Sequence, residues 1–211
     1  MKKIIVTGGC GYIGSHTTIE LIENDFEVVI FDDLSNSSEK TLERIEKITG
    51  VRPIFEKIDL KDQRATECTF DRYKDAFAVI HFAALKAVGD SIEKPLEYYQ
   101  NNLYSFLNTL MCQHKLGIHK FIFSSSATVY GNPDVLPITE ENKTQRPFSP
   151  YGNTKKIAEE ILDDFTKANP NFAAISLRYF NPIGAHESGN IGELPNGTPN
   201  NLMPYITQTA A

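Results

Sequence analysis

The chain has 211 residues, 41% hydrophobic and 23% charged, enough for one well-filled core or for one domain and part of a second. Its formal net charge of −6 argues against nucleic-acid and anionic-membrane partners, so any phosphate must be held by backbone N–H groups and helix dipoles. Cys10, Cys68 and Cys112 form no C-x-x-C pair, and no secretory signal or run of 18 apolar residues is read; no disulfide framework, metal site or membrane span is expected, and a cytoplasmic location is.

Ile4-Ile5-Val6 leads directly into Thr7-Gly8-Gly9-Cys10-Gly11-Tyr12-Ile13-Gly14, an order that reads as strand, tight turn, helix. The glycines, spaced G-x-x-G-x-x-G, divide the work. Gly8 turns the chain, Gly11 lets the backbone approach a pyrophosphate, and Gly14 lets the helix lie close on the sheet. A pyrophosphate would rest at the helix N-terminus, where free N–H groups and the positive dipole end favour an anion. The alternative is a glycine-rich turn without a ligand. The helix continues through Thr17, Leu21 and Ile22 to Asn24-Asp25, and residues 27–31 read as the second strand. Asp32, at its end and eighteen residues past Gly14, is placed to accept hydrogen bonds from a ribose and to repel a 2′-phosphate, which favours NAD over NADP. Asp33 reads better as a solvated turn residue opening the loop Ser35-Asn36-Ser37.

A helix is expected over 38–49, with Leu42, Ile45 and Ile48 on one stripe and Gly50 as its stop. A third strand over 53–58 ends at Asp59-Leu60, within reach of an adenine edge. A polar helix over 63–73 precedes the apolar run 77–82, which suits a strand buried on both faces of a parallel sheet. Pro95 opens a long helix carrying Leu96, Tyr99, Leu103, Phe106, Leu107 and Leu110 at helical spacing. Strands follow over 120–124 and 173–180. Alternating strands and helices predict a doubly wound, Rossmann-like α/β fold with a parallel sheet. The Gly-, Pro- and Asn-rich stretch 181–201 leaves the C-terminal end of a strand and reads as a substrate loop.

The sharpest chemical pattern is Ser149-Pro150-Tyr151-Gly152-Asn153-Thr154-Lys155. With Ser149 as N-cap and Pro150 as first helical residue, Tyr151 and Lys155 lie one turn apart on a stripe that continues through Ala158, Leu162 and Phe165. Lysine there is unfavourable for folding, while its ammonium and the helix dipole would stabilise a phenolate on Tyr151. Moving a tyrosine from about 10 toward 7 takes roughly 4 kcal/mol of differential stabilisation. The plainer reading is a packed tyrosine beside a snorkelling lysine. One strand earlier stands Ser124-Ser125-Ser126; the first two read as local caps, and Ser126 is a candidate to bond a substrate hydroxyl and relay its proton to Tyr151.

The glycine turn, the Ser126/Tyr151/Lys155 set and four further stretches resemble the UDP-glucose 4-epimerase family of extended short-chain dehydrogenases/reductases. The stretches are Phe82-Ala83-Ala84-Leu85-Lys86-Ala87-Val88, Lys94-Pro95-Leu96-Glu97-Tyr98-Tyr99, Arg178-Tyr179-Phe180-Asn181-Pro182 and Asn200-Asn201-Leu202-Met203-Pro204. The resemblance implies that Tyr12, Ile13, Asp32, Asp33, Leu34, Ser35, Asn36, Ser37, Asp59, Leu60, Phe82, Ala83, Ala84, Leu85, Lys86, Asn101, Tyr151 and Lys155 hold NAD, and that Phe180 packs near the nicotinamide. It implies that Lys86, Ser126, Tyr151, Asn181 and Asn201 meet the UDP-sugar, and that two helices pair across a two-fold axis in a homodimer. Residues 1–180 are then an NAD-binding domain. Residues 181–211 are the start of a substrate-binding portion, and the chain is expected to be an N-terminal part of a longer protein.

The expected activity is inversion at C4 of a UDP-hexose through a 4-keto sugar. A nucleotide-sugar dehydratase or decarboxylase is the competing class. The dehydratases place an Asp-Glu pair where this chain has Ala127 and Thr128, which argues against that reading. The remaining alternative is an inactive NAD-binding fragment.

Overall fold

The computed structural model describes residues 1–194 and 201–210. Six parallel strands form one sheet in the order β3-β2-β1-β4-β5-β6, with β1 at Lys2–Thr7, β2 at Phe26–Asp32, β3 at Ile54–Lys57, β4 at Ala78–His81, β5 at Lys120–Ser126 and β6 at Ala173–Tyr179. The helices between them are α1 (Tyr12–Glu23), α2 (Lys40–Thr49), α3 (Gln63–Phe70), α4 (Val88–Glu93), α5 (Pro95–Lys115) and α6 (Pro150–Ala168), with α7 at Leu202–Ala210. This is the doubly wound fold expected from the alternation. Strand order reverses between β1 and β4, so a crevice opens there at the strands' C-terminal ends.

Alternate residues of the central strands feed two cores. Ile5, Val29, Phe31, Val79, Phe121 and Phe123 pack with Phe106 and Leu110 of α5 and Leu162 of α6. Ile4, Val6, Val28, Ile30 and Ile80 pack with Ile19 of α1 and with Leu42 and Ile45 of α2. Burial on both faces explains why these strands are apolar runs rather than alternating ones.

Local signals set the helix ends. The Ser149 hydroxyl accepts from the Gly152 N–H at 3.1 Å with Pro150 in the first turn, Asp62 caps α3 through the Ala65 N–H at 2.9 Å, and Gly50 closes α2 with φ 72°. Boundaries moved modestly. The third and fourth strands are shorter than expected, the helix from Gln63 ends at Phe70 and gives way to a 3-10 turn at Asp71–Tyr73, and the fifth strand runs on to Ser126. Helix α4 was not anticipated; at six residues ending beside Pro95, it is too short to show a helical period.

Candidate active site

The turn after β1 is built as its glycines require. Gly8 has φ 68°, its N–H donates to the Phe31 carbonyl at 2.7 Å, and a Cβ there would lie 2.7 Å from the Ala83 nitrogen. A Cβ on Gly14 would collide with the Gly8 carbonyl oxygen. Helix α1 begins at Tyr12, with Gly11 as an N-cap that offers no side-chain hydrogen bond and with no acidic residue in the first turn. Its leading N–H groups and positive dipole end stay available to an anion, which suits a dinucleotide's pyrophosphate.

Asp32 is buried at 8% exposure, and its carboxylate organises the turn and the following loop. Oδ2 accepts from the Cys10 N–H at 3.0 Å, while Oδ1 accepts from the Leu34 N–H at 2.9 Å and the Ser37 hydroxyl at 2.8 Å. Burial raises its pKa above the ordinary carboxylate value, against the pull of those three donors. Asp33 is the turn residue its sequence suggested, its Oδ1 accepting from the Ser35 N–H at 2.8 Å and the Ser35 hydroxyl at 2.6 Å.

Across the crevice, Lys155 is 4% exposed. Its Nζ donates to the Ser124 carbonyl at 2.8 Å and stands 5.0 Å from the Phe123 ring centre and 5.9 Å from that of Tyr151. Burial pushes its ammonium down to about 7. The same burial raises the Tyr151 phenol, with the Ser126 hydroxyl pulling the other way. The direction is thus opposite to the depression that the ammonium and the helix dipole were expected to give Tyr151. Desolvation is the leading cause on both side chains. Ser126 opens a 3-10 turn, Ala127–Tyr130, its hydroxyl accepting from the Thr128 N–H at 3.3 Å and the Thr128 hydroxyl at 2.9 Å.

One cleft of about 380 Å³ collects most of the expected residues, a size within the range of small-molecule sites, roughly 300–1,000 Å³. Its walls include Gly8, Gly11, Tyr12, Ile13, Gly14, Asp32, Asp33, Ser35, Asn36, Ser37, Asp59, Leu60, Phe82, Ala83, Ala84, Leu85, Lys86, Asn101, Tyr151 and Lys155. Five expected residues do not line it: Leu34, whose side chain packs on the core beside α2, Ser126, and the exposed Phe180, Asn181 and Asn201.

Sequence reasoning singled out the stretch 181–201 as a substrate loop but did not foresee that part of it folds back onto this cleft. The Tyr12 hydroxyl donates to the Gly184 carbonyl at 2.7 Å, Ala185 bridges Gly192, and Ile191 is buried in the core that holds Cys10, Leu42 and Ile45. Residues 191–194 consequently form part of the wall. Glu193 Oε1 accepts from Lys86 Nζ at 2.7 Å and from Asn201 Nδ2 at 2.5 Å, which ties two expected substrate residues together. The expected substrate loop is thus described from Asn181 to Leu194 and at Asn201. Positions 195–200, including Asn200 of the resembling stretch, lie outside the described residues, as does Ala211. No described helix is long and apolar enough to cross a membrane.

Residues 4–211 match the profile of the NAD dependent epimerase/dehydratase family. A UDP-glucose 4-epimerase of Erwinia amylovora is 53% identical over 208 residues, which make up 99% of this chain and 61% of that protein. A UDP-glucose 4-epimerase of Pasteurella multocida is 52% identical over 207 residues, 98% of this chain and 61% of that one. The crystal structure of UDP-glucose 4-epimerase from Bifidobacterium longum in complex with NAD+ and UDP superposes with a TM-score of 0.96 at 49% identity, covering 99% of this chain and 62% of that chain. The chain spans about three fifths of the length of the relatives it matches.

Proposed function

The chain belongs to the NAD dependent epimerase/dehydratase family, and on that premise we propose that it is the cofactor-holding part of an enzyme that interconverts UDP-glucose and UDP-galactose. The observation that carries the reading is one cleft lined by the uncapped start of α1, the Asp32 carboxylate and the Tyr151–Lys155 pair. Residues 1–180 would hold NAD, and residues from 181 onward would begin the sugar-nucleotide portion.

The glycine turn and the N-terminus of α1 would take the pyrophosphate, Asp32 a ribose, and Asp59 and Leu60 the adenine edge. Lys155 would reach the nicotinamide end, with Phe180 packing beside it. When bound, NAD supplies a hydride acceptor and donor for the sugar's C4. Tyr151 takes the proton of the 4-hydroxyl, directly or through Ser126, and returns it once the 4-keto sugar has presented its other face. Near pH 7 the buried Lys155 can carry its charge in response to a neighbouring negative one, which lets it stabilise a phenolate formed during turnover. Lys86, Asn181 and Asn201 would meet the UDP-sugar. Ala127 and Thr128 follow Ser126 without a carboxylate, which favours epimerisation over dehydration.

Two further proposals concern setting and assembly. Cys10 and Cys112 are buried free thiols and Cys68 an exposed one, which suits a reducing cytoplasm. The outer side of α5 leaves Leu96, Tyr104 and Met111 exposed, which suits pairing with a second copy.

Conversion of UDP-galactose to UDP-glucose, assayed for this chain and for the complete gene product, tests the function. Turnover is expected in the complete product, and Tyr151→Phe should reduce kcat by at least about a hundredfold while NAD stays bound, because the ring still packs but the proton acceptor is gone. Full turnover in Tyr151→Phe would overturn the assignment. NAD binding without turnover by the complete product would favour a non-catalytic role.

A further inference from the structure

Adjoining Ser126, Tyr151 and Lys155 is a charged network to which none of the roles above refers. Glu159 follows Lys155 by one helical turn and Tyr151 by two, so the three share the stripe of α6 that faces the sheet. Arg178 of β6 forks onto its carboxylate, Nε to Oε1 at 3.0 Å and Nη2 to Oε2 at 2.8 Å. The Ser125 hydroxyl donates to the same Oε1. Arg178 Nη1 donates to the Tyr130 hydroxyl at 2.9 Å, and the guanidinium lies 4.8 Å from that ring's centre. The side chains of Glu159 and Arg178 are only 11% and 24% exposed.

Such a pair adds little net stability, because desolvation largely offsets the attraction. A bidentate fork does fix an angle between the elements it joins. Those elements carry the proposed chemistry. Ser125 immediately precedes Ser126, Tyr130 ends the turn that Ser126 opens, and Glu159 sits on the helix of Tyr151 and Lys155. In the sheet, Ser125 pairs with Arg178 and Ser126 with Tyr179, so the fork acts one register step from the serine.

We propose that Glu159 and Arg178 are positioning residues that lock α6 against rotation about its axis and so set the Tyr151 hydroxyl against Ser126. This rests on the roles assigned above to Ser126, Tyr151 and Lys155. A phenol oxygen roughly 8 Å from the helix axis moves about 1.4 Å for a rotation of about 10°. A displacement of that size lowers a rate by on the order of a hundredfold.

The test uses the complete NAD-loaded gene product with Glu159→Gln, which keeps the volume and removes the charge, and Tyr130→Phe, which removes a single hydrogen bond and should fold. Glu159→Gln is expected to lower kcat at least about tenfold with KM within about twofold and NAD retained, and Tyr130→Phe to lower it less, in the same pattern. In a Ser126→Ala background the Glu159→Gln effect should be smaller, since the alignment of the phenol with that hydroxyl is already lost and only its direct approach to the substrate remains. Equal losses in both backgrounds, or a changed KM with unchanged kcat, would overturn the proposal. If the unsubstituted protein has no epimerase activity, the assigned reaction fails instead, and crystal structures decide the positioning claim: a Tyr151 hydroxyl displaced from Ser126 in Glu159→Gln supports it, and an unmoved one overturns it.

Discussion

At the scale of single residues, Lys155 is where the proposed function would oppose stability. Burial brings its ammonium from an ordinary 10.5 down to about 7. Between those values the unfolded chain binds a proton that the folded chain does not, so stability rises as pH climbs from 7 to 10.5, and the full penalty applies below 7. Its size is roughly a few kcal/mol. Lys155→Met should therefore raise the unfolding midpoint of the ligand-free protein near pH 6–7 while abolishing turnover, with the gain shrinking toward pH 10. Denaturant titrations at several pH values check this; a gain that does not vary with pH would mean that the lysine folds without a desolvation penalty. Asp32 shows a different sharing of tasks, since its carboxylate orders both the glycine turn and the 34–37 loop while lining the cleft.

At the scale of elements, the first turn of α6 is held against the turn that follows β5. A Cβ on Gly152 would lie 2.7 Å from the Pro147 Cβ and 3.0 Å from the Thr128 hydroxyl oxygen. Helix propensity alone favours alanine over glycine by about 1 kcal/mol. Overpacking against a rigid proline ring costs about 1–3 kcal/mol, so the clash should win. Gly152→Ala is expected to destabilise by about 1 kcal/mol and to reduce turnover by pushing Tyr151 away from Ser126. A rise in midpoint, read by thermal or denaturant unfolding, would show that this end of the helix shifts freely. The strap over the cleft has anchors of another kind: a buried Ile191, the Tyr12 bond to Gly184 and the Lys86–Glu193 ion pair.

At the scale of the whole molecule, α5 turns Tyr98, Phe106 and Leu110 inward and leaves Leu96 at 81%, Tyr104 at 52% and Met111 at 54% exposure. A second copy covering this side would bury a self-complementary stripe between α5 and α6 of two protomers. The complete gene product should then sediment as a dimer at micromolar concentration, and the double substitution Tyr104→Glu, Met111→Glu should release monomers without unfolding; a monomeric unsubstituted protein would refute the pairing. The sequence alone determined the order of the six strands and of the longer helices between them, the parallel doubly wound sheet, the glycine turn, the end of β2 at Asp32 and the Ser149-Pro150 start that puts Tyr151 and Lys155 on one stripe. Each of these follows from backbone geometry, capping and periodicity, which act over a few residues and are written locally. Tertiary structure alone decided the rest. Glu159 meets Arg178 only because α6 packs on the sheet face across β5 and β6, Glu193 reaches Lys86 only because the chain after β6 doubles back, and Tyr151 is raised rather than lowered because solvent is excluded from its surroundings. Such contacts join residues many positions apart, and burial is a property of the assembled layers, so neither has a local pattern to read.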